Sequence, residues 1–116
     1  MSSLKHLFKL SHKVAVYVPT RDSKGRSLGR LSAKVRDESL RWLSRECGGA
    51  TATKALGSWL SGSGALVKEE VTLIFAFRKS LDVKFAGRLL EYAESVKARC
   101  RQESLAVEVD GELYLV

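Results

Sequence analysis

The chain is poor in residues that punctuate or staple a fold: one proline, two cysteines and two histidines among 116 residues. Cys47 and Cys100 each stand where a helix is expected to end, with no CxxC spacing and no histidine nearby. That excludes a disulfide framework, argues against zinc, and fits a reducing, cytoplasmic setting. No stretch approaches the roughly 20 apolar residues of a membrane span. The opening "MSSLKHLFKLSHK" lacks a long apolar core and a small-residue cleavage site, so it does not read as a secretory signal. His6 and His12 both fall in this segment, so no Ser/His/Asp or Cys/His set assembles. Glu69 and Glu70 are adjacent on one strand and face opposite sides, which rules them out as an acid–base pair. Enzymatic readings therefore have little support, no catalytic residue is assigned, and neither a metal nor a cofactor is expected.

What is present is an ordinary single folded domain, 45% hydrophobic and 28% charged. Residues 1–12 read as a basic N-terminal segment, mobile or forming a docking helix, with Leu4, Leu7 and Phe8 at helical spacing. Residues 13–116 read as the domain. The net charge of +7 is one-sided: eleven Lys and Arg stand against four acids before Cys47, and nine against nine from there on. Such an excess points to an anionic partner or to a self-repelling surface.

"KVAVYV" (residues 13–18) is a β-branched strand closed by Pro19, and "TRDSKGRSLGR" (20–30) reads as a mobile polar loop. Ser32 is the expected N-cap of a helix over 32–46 whose apolar face carries Leu31, Val35, Trp42 and Leu43, with Gly48 and Gly49 stopping it. A slim strand over 51–60, an "SGSG" connection and a strand over 65–77 follow. Alternation in the latter assigns Val67, Glu69, Val71, Leu73, Phe75 and Phe77 to the core face. Ala86, Leu89, Leu90, Ala93, Val96 and Cys100 mark a helix over 82–101. The ending "LAVEVDGELYLV" is a hairpin, for which a three-residue loop pairing Val109 with Leu113 keeps the faces sorted. The order β-α-β-β-α-β-β implies an α+β fold, ferredoxin-like, with two helices on one face of an antiparallel sheet. Its C-terminal strand is an expected edge through which copies could form a homo-oligomer.

"GGATATK" is not a phosphate loop, because Thr53 and not glycine precedes Lys54 and the order is helix, glycines, strand. Arg30, Lys34, Arg41 and Arg45 form one helical stripe, joined by loop residues Arg21, Lys24 and Arg26. Glu69 on a core face requires a salt bridge or a pocket. Trp59, just after Gly57 on the same hairpin, could belong to the core or stack on a ring.

The blocks "YVPT", "GGATAT" followed by "GSW", "LVKEEVT" and "QESLAVEVDGELYLV" resemble those of a small family encoded mainly by phages, plasmids and bacterial genomes. The basic loop after the first strand departs from the more acidic loop of that family, and the resemblance implies no activity. In size, element order and glycine-tryptophan strands the chain is also loosely similar to phage Thoeris anti-defence proteins, oligomeric sponges that bind cyclic ADP-ribose signals. That similarity implies a non-enzymatic protein sequestering an anionic, nucleotide-type ligand. Arg21, Arg26, Arg30 and Lys34 would then meet phosphates, Trp59 would stack, and Glu69 would hold a ribose or an arginine. Two alternatives are a sequence-nonspecific DNA- or RNA-binding module using Lys24, Arg41 and Arg45 as well, and a protein-binding inhibitor acting through the C-terminal edge strand.

Overall fold

The computed structural model describes residues 7–116. Residues 1–6 of the expected docking helix lie outside that range, and Leu7 to Ser11 carry no helix. The elements are β1 (His12–Pro19), α1 (Arg30–Cys47), β2 (Thr51–Leu60), β3 (Leu66–Arg78), α2 (Val83–Arg99), β4 (Ala106–Val109) and β5 (Glu112–Leu115). They form an α+β fold in which one antiparallel sheet runs β2-β3-β1-β4-β5, with β5 at an edge.

β1 is central, paired with β3 on one side and β4 on the other. Its Val14, Val16 and Val18, with Ile74, Ala76 and Val107, meet Val35 and Leu43 of α1 and Phe85, Leu89, Ala93 and Val96 of α2. The helices lie side by side on this face. Trp42 stacks on Tyr92 with ring centroids 4.7 Å apart, and the Ser39 and Tyr92 hydroxyls share a 2.6 Å hydrogen bond. Ion pairs Arg88–Glu46 and Arg99–Glu38 close the seam at 2.8 and 2.5 Å.

Helix α1 starts two residues before the expected cap. Gly29, at φ 55°, turns the chain into it, while the Ser32 hydroxyl donates to the Pro19 carbonyl at 2.8 Å and ties the helix to the end of β1. Gly48 stops it in the left-handed conformation, φ 89°, as a glycine there should. In α2, Asp82 caps the first turn by accepting from the Phe85 N–H at 2.7 Å. Phe85 was not among the expected core residues, yet it is buried, whereas Ala86 and Leu90 are exposed.

Two larger expectations are overturned. In β3 the even residues Ile74 and Ala76 face the helices, and the odd set, Glu69 included, lies on the opposite, open face. The terminal hairpin turns on two residues and not three: Val109 pairs with Glu112 and Glu108 with Leu113. Asp110 (φ 51°) and Gly111 (φ 82°) take the double left-handed conformation of a type I′ turn, whose twist matches the flanking strands. The Asp110 carboxylate fastens that turn to β1 through the Lys13 N–H at 2.9 Å and His12 Nδ1 at 2.7 Å. This register puts Leu113 and Leu115 on the open face with Glu108 and Ala106.

The face assignment is testable by unfolding in urea. Ile74→Ala is expected to cost about 2–5 kcal/mol, as a buried truncation leaving a cavity. Phe77→Ala, on the open face, is expected to cost about 1 kcal/mol or less. The reverse order would reinstate the odd set as core.

Candidate functional site

β3 is longer than β1. Pro19 is the last residue of β1, opposite Val71, so Leu66 to Glu70 pair with β2 alone. Proline has no N–H to continue a ladder, and the chain leaves the sheet there. Onto this overhanging arm the register places Glu69 opposite Gly57, and Val67 opposite Trp59, all on the open face. Gly57 puts no side chain across from the carboxylate. A Cβ added there would stand 3.7 Å from the Glu69 carbonyl oxygen, an ordinary contact, so the glycine gives space and relieves no strain.

The loop after Pro19 folds against the arm and is not an open mobile segment. The Thr20 hydroxyl donates to the Glu70 carbonyl at 2.6 Å, and the Arg21 N–H donates to Glu69 Oε1 at 3.2 Å. Inside the loop, Asp22 is the organiser. Its buried carboxylate accepts from the backbone N–H groups of Lys24 and Arg26, both at 2.9 Å, and from Arg26 Nε at 2.8 Å, with Arg101 Nε 3.5 Å away. The Arg26 backbone N–H, and after it the guanidinium and the Lys24 N–H, outweigh burial and hold the Asp22 carboxyl at about 2. The segment after α2 is laced to the same loop. Gln102 Nε2 donates to the carbonyls of Arg21 at 2.7 Å and Cys100 at 2.9 Å, and the Ser23 N–H donates to the Arg101 carbonyl at 3.0 Å.

Arm, loop and this segment enclose a groove of about 420 Å3 lined by Arg21, Asp22, Lys68, Glu69, Gln102 and Glu103, among others. It opens along the sheet into a second of about 470 Å3, walled by Tyr17, Pro19, Val71, Leu113 and Leu115. Trp59, Glu69, Gln102 and Ser104 border both. The Trp59 side chain is half exposed, so its ring is not a core ring and is open to a ligand. Glu69 has no ion-pair partner among the described residues; its structural contact is the Arg21 N–H. Both volumes fall in the range of small-molecule sites. A third groove, about 270 Å3 between α2 and the β4–β5 hairpin, is lined by apolar side chains and Tyr114 with no charged group, and offers little to a polar ligand.

Of the residues expected to meet a ligand, Arg21, Trp59 and Glu69 converge here. Arg26 is held by Asp22 behind the groove, and Arg30 and Lys34 lie exposed at the start of α1, lining neither basin. Lys24 sits in the loop, while Arg41 and Arg45 are exposed farther along α1. Gln102, Glu103 and Ser104 were missed as site residues, although the block "QES" was noted as a resemblance. Nothing in local spacing shows that a segment after a helix returns to the end of β1. Tyr17 of β1 was missed as well.

No protein-family model and no curated protein matches this chain. Its fold is similar to that of a phage SAM lyase in complex with S-methyl-5'-thioadenosine. The TM-score is 0.67 at 17% identity, over 96% of this chain and 92% of that one. A phage SAM lyase in the apo state is similar at TM-score 0.63 and 18% identity, over 95% of this chain and 94% of that one. At such identities the likeness is one of fold, and it extends over nearly the whole of each chain.

Asp22 gives the site a pH signature. Its carboxyl is depressed from an ordinary value near 4, so the charged form stabilises the folded loop fully above that value, and the contribution is lost as pH falls toward about 2. Thermal melts of the native chain and Asp22→Asn are expected to differ most near pH 6 and to converge between about pH 4 and 2. A constant difference across that range would mean that the carboxylate charge does not organise the loop.

Proposed function

We propose that the protein binds S-adenosylmethionine in the Trp59–Glu69 groove and cleaves it, releasing S-methyl-5'-thioadenosine. The observation that carries the reading is the convergence of Trp59, Glu69, Arg21 and Gln102 at one groove, in a fold similar to that of a lyase in complex with that nucleoside. In this reading the Trp59 ring stacks on the adenine, and the Glu69 carboxylate accepts from ribose hydroxyls. A sulfonium centre near the two would be favoured by the carboxylate and by the electron-rich face of the indole. Breaking its bond to the amino-acid arm sends the electron pair to sulfur and turns the cation into a neutral thioether, while the arm's own carboxylate closes on the carbon that sulfur leaves, giving a lactone. The leaving group needs no acid, so a groove that fixes the arm's conformation and excludes water is sufficient machinery. That reconciles a lyase with a chain lacking an assembled catalytic triad.

The same observations support the phage or mobile-element origin and the nucleotide-type ligand expected from the sequence. They also support reading β1-α1-β2-β3-α2-β4 as a ferredoxin-like core with β5 added at its edge. What changes is the ligand's charge. The excess of Lys and Arg lies largely outside this groove, so a cationic nucleoside is as well suited to it as an anionic one. Among the described residues no helix is long and apolar enough to cross a membrane.

The direct experiment incubates the purified protein with S-adenosylmethionine and follows S-methyl-5'-thioadenosine by chromatography and mass spectrometry. Product is expected to form, and Glu69→Gln to slow it about tenfold or more through loss of a charge-assisted contact. Trp59→Ala is expected to weaken S-methyl-5'-thioadenosine binding by about 1–3 kcal/mol, the usual worth of a base stacked on an aromatic ring. A folded protein that forms no product and binds neither nucleoside would overturn the proposal.

A further inference from the structure

The outer face of α1 carries charge that neither the fold nor the groove uses. Arg30, Lys34, Arg41 and Arg45 are all exposed there, and among the described residues none of them is in an ion pair. The acids of the same helix are spent elsewhere. Asp37 accepts from Arg36 Nε at 2.9 Å, Glu38 is bound by Arg99 of α2, and Glu46 is bound by Arg88 of α2 at 2.8 Å. The remaining charges of α2 balance, with Lys84 and Lys97 against Glu91 and Glu94. The uncompensated charge of the helix layer is therefore this one stripe.

Its spacing is regular. At 1.5 Å per residue, Arg30 and Lys34 stand about 6 Å apart along the axis, as do Arg41 and Arg45, and the centres of the two pairs about 16 Å apart. The eleven residues between equivalent members make about three whole turns, so both pairs point the same way. Ala33 and Ser44, also exposed, are small enough to let the helix approach a partner closely. The helix's one aromatic, Trp42, is stacked on Tyr92 and is not offered to a base. It has no Asn or Gln, the side chains whose amides pair with adenine.

We infer that the outer face of α1 docks the protein on duplex DNA without regard to sequence. Each cation pair meets one of the two phosphate rows that flank a groove about 12 Å wide. Phosphate contacts of this kind position a protein and carry no sequence information. A single strand would need exposed rings on which to stack its bases, and α1 has none to give. This surface lies across the sheet from the Trp59–Glu69 groove, so the inference stands independently of the nucleoside reading.

The test titrates a labelled 30-base-pair duplex of arbitrary sequence with the native chain, followed by fluorescence anisotropy between 50 and 200 mM salt. Four phosphate contacts predict a slope of log affinity against log salt of about −3.6, a loss of about a hundredfold over that range. Arg41→Ala and Lys34→Ala are each expected to weaken binding at low salt and to reduce the slope by about 1. Lys13→Gln removes the same charge from the opposite face of the sheet, and is expected to leave the slope within about 0.3 of native. All three positions are at the surface, and a circular dichroism spectrum verifies that each variant is folded. Absence of duplex binding at 50 mM salt would overturn the inference. So would an equal loss of slope in Lys13→Gln and Arg41→Ala, which would mean attraction to net charge alone. Tighter binding to the separated single strand, or to polyglutamate, would overturn it in favour of a different partner.

Discussion

Everything specific about this molecule follows from where its one proline stops β1. Val14, Ala15 and Val16 have no solvent exposure, so β1 is dry on both sides of the sheet and forms the axis of the fold. Pro19 ends it opposite Val71, while β3 continues as far as Leu66. The β1–β3 ladder could have continued with another hydrogen-bonded residue or two. Instead the missing N–H leaves a notch beside the arm, and the chain must cover it with something other than strand. The cover is the Thr20–Gly29 loop, and the candidate site is the space it leaves.

That cover is polar, and its stability comes from making its own hydrogen bonds. Asp22 satisfies two backbone N–H groups and a guanidinium from within the loop, and Gln102 bridges two carbonyls from outside it. A buried carboxylate is affordable only in such company. The consequence for function is rigidity at the rim: Arg21 and Glu69 are joined through the Arg21 N–H, so the groove's cation and anion are positioned by backbone geometry and not by mutual attraction. An ion pair between them would have consumed the charges that a ligand needs.

Local signals in the sequence read true where one residue type meets one conformational demand. Gly48 stops α1 at φ 89°, β2 spans Thr51–Leu60, and Trp59 and Glu69 do share a groove. The two failures, the face of β3 and the register of the last hairpin, have a common cause. Both reasoned that a sheet has one apolar face, so the set containing Val71, Leu73, Phe75 and Phe77 had to meet the helices, and Val109 had to match Leu113. Here the open face is apolar as well: Phe75 and Phe77 meet edge to face on it, and Ala15 beneath them is fully buried. Alternation names two faces but not which is inside, and β1, apolar at every position from Val14 to Val18 except the hydroxyl of Tyr17, gave no vote. Glu69 was thus picked for a wrong reason, as a carboxylate facing the core. Its actual distinction is to stand on the overhang, beyond the end of β1, with only β2 beside it and Gly57 opposite. Gln102 and Glu103 were invisible because their role depends on a return of the chain across some 80 residues to Arg21.

The net charge carries a separate lesson about scale. The +7 excess is real, but exposed Arg30, Lys34, Arg41 and Arg45 place much of it along α1, on the helix layer, while the groove that holds Arg21 and Glu69 opens on the other side of the sheet. A summed field acts at long range and is screened within about 10 Å at moderate salt, so it can gather a polyanion at α1 but cannot choose a small ligand inside the notch. Choice there depends on groups within hydrogen-bonding reach. A ligand of no net charge but strong internal charge separation would feel little of the first and all of the second. Reading the ligand's sign from the chain's sign therefore conflates two surfaces that the sheet keeps apart.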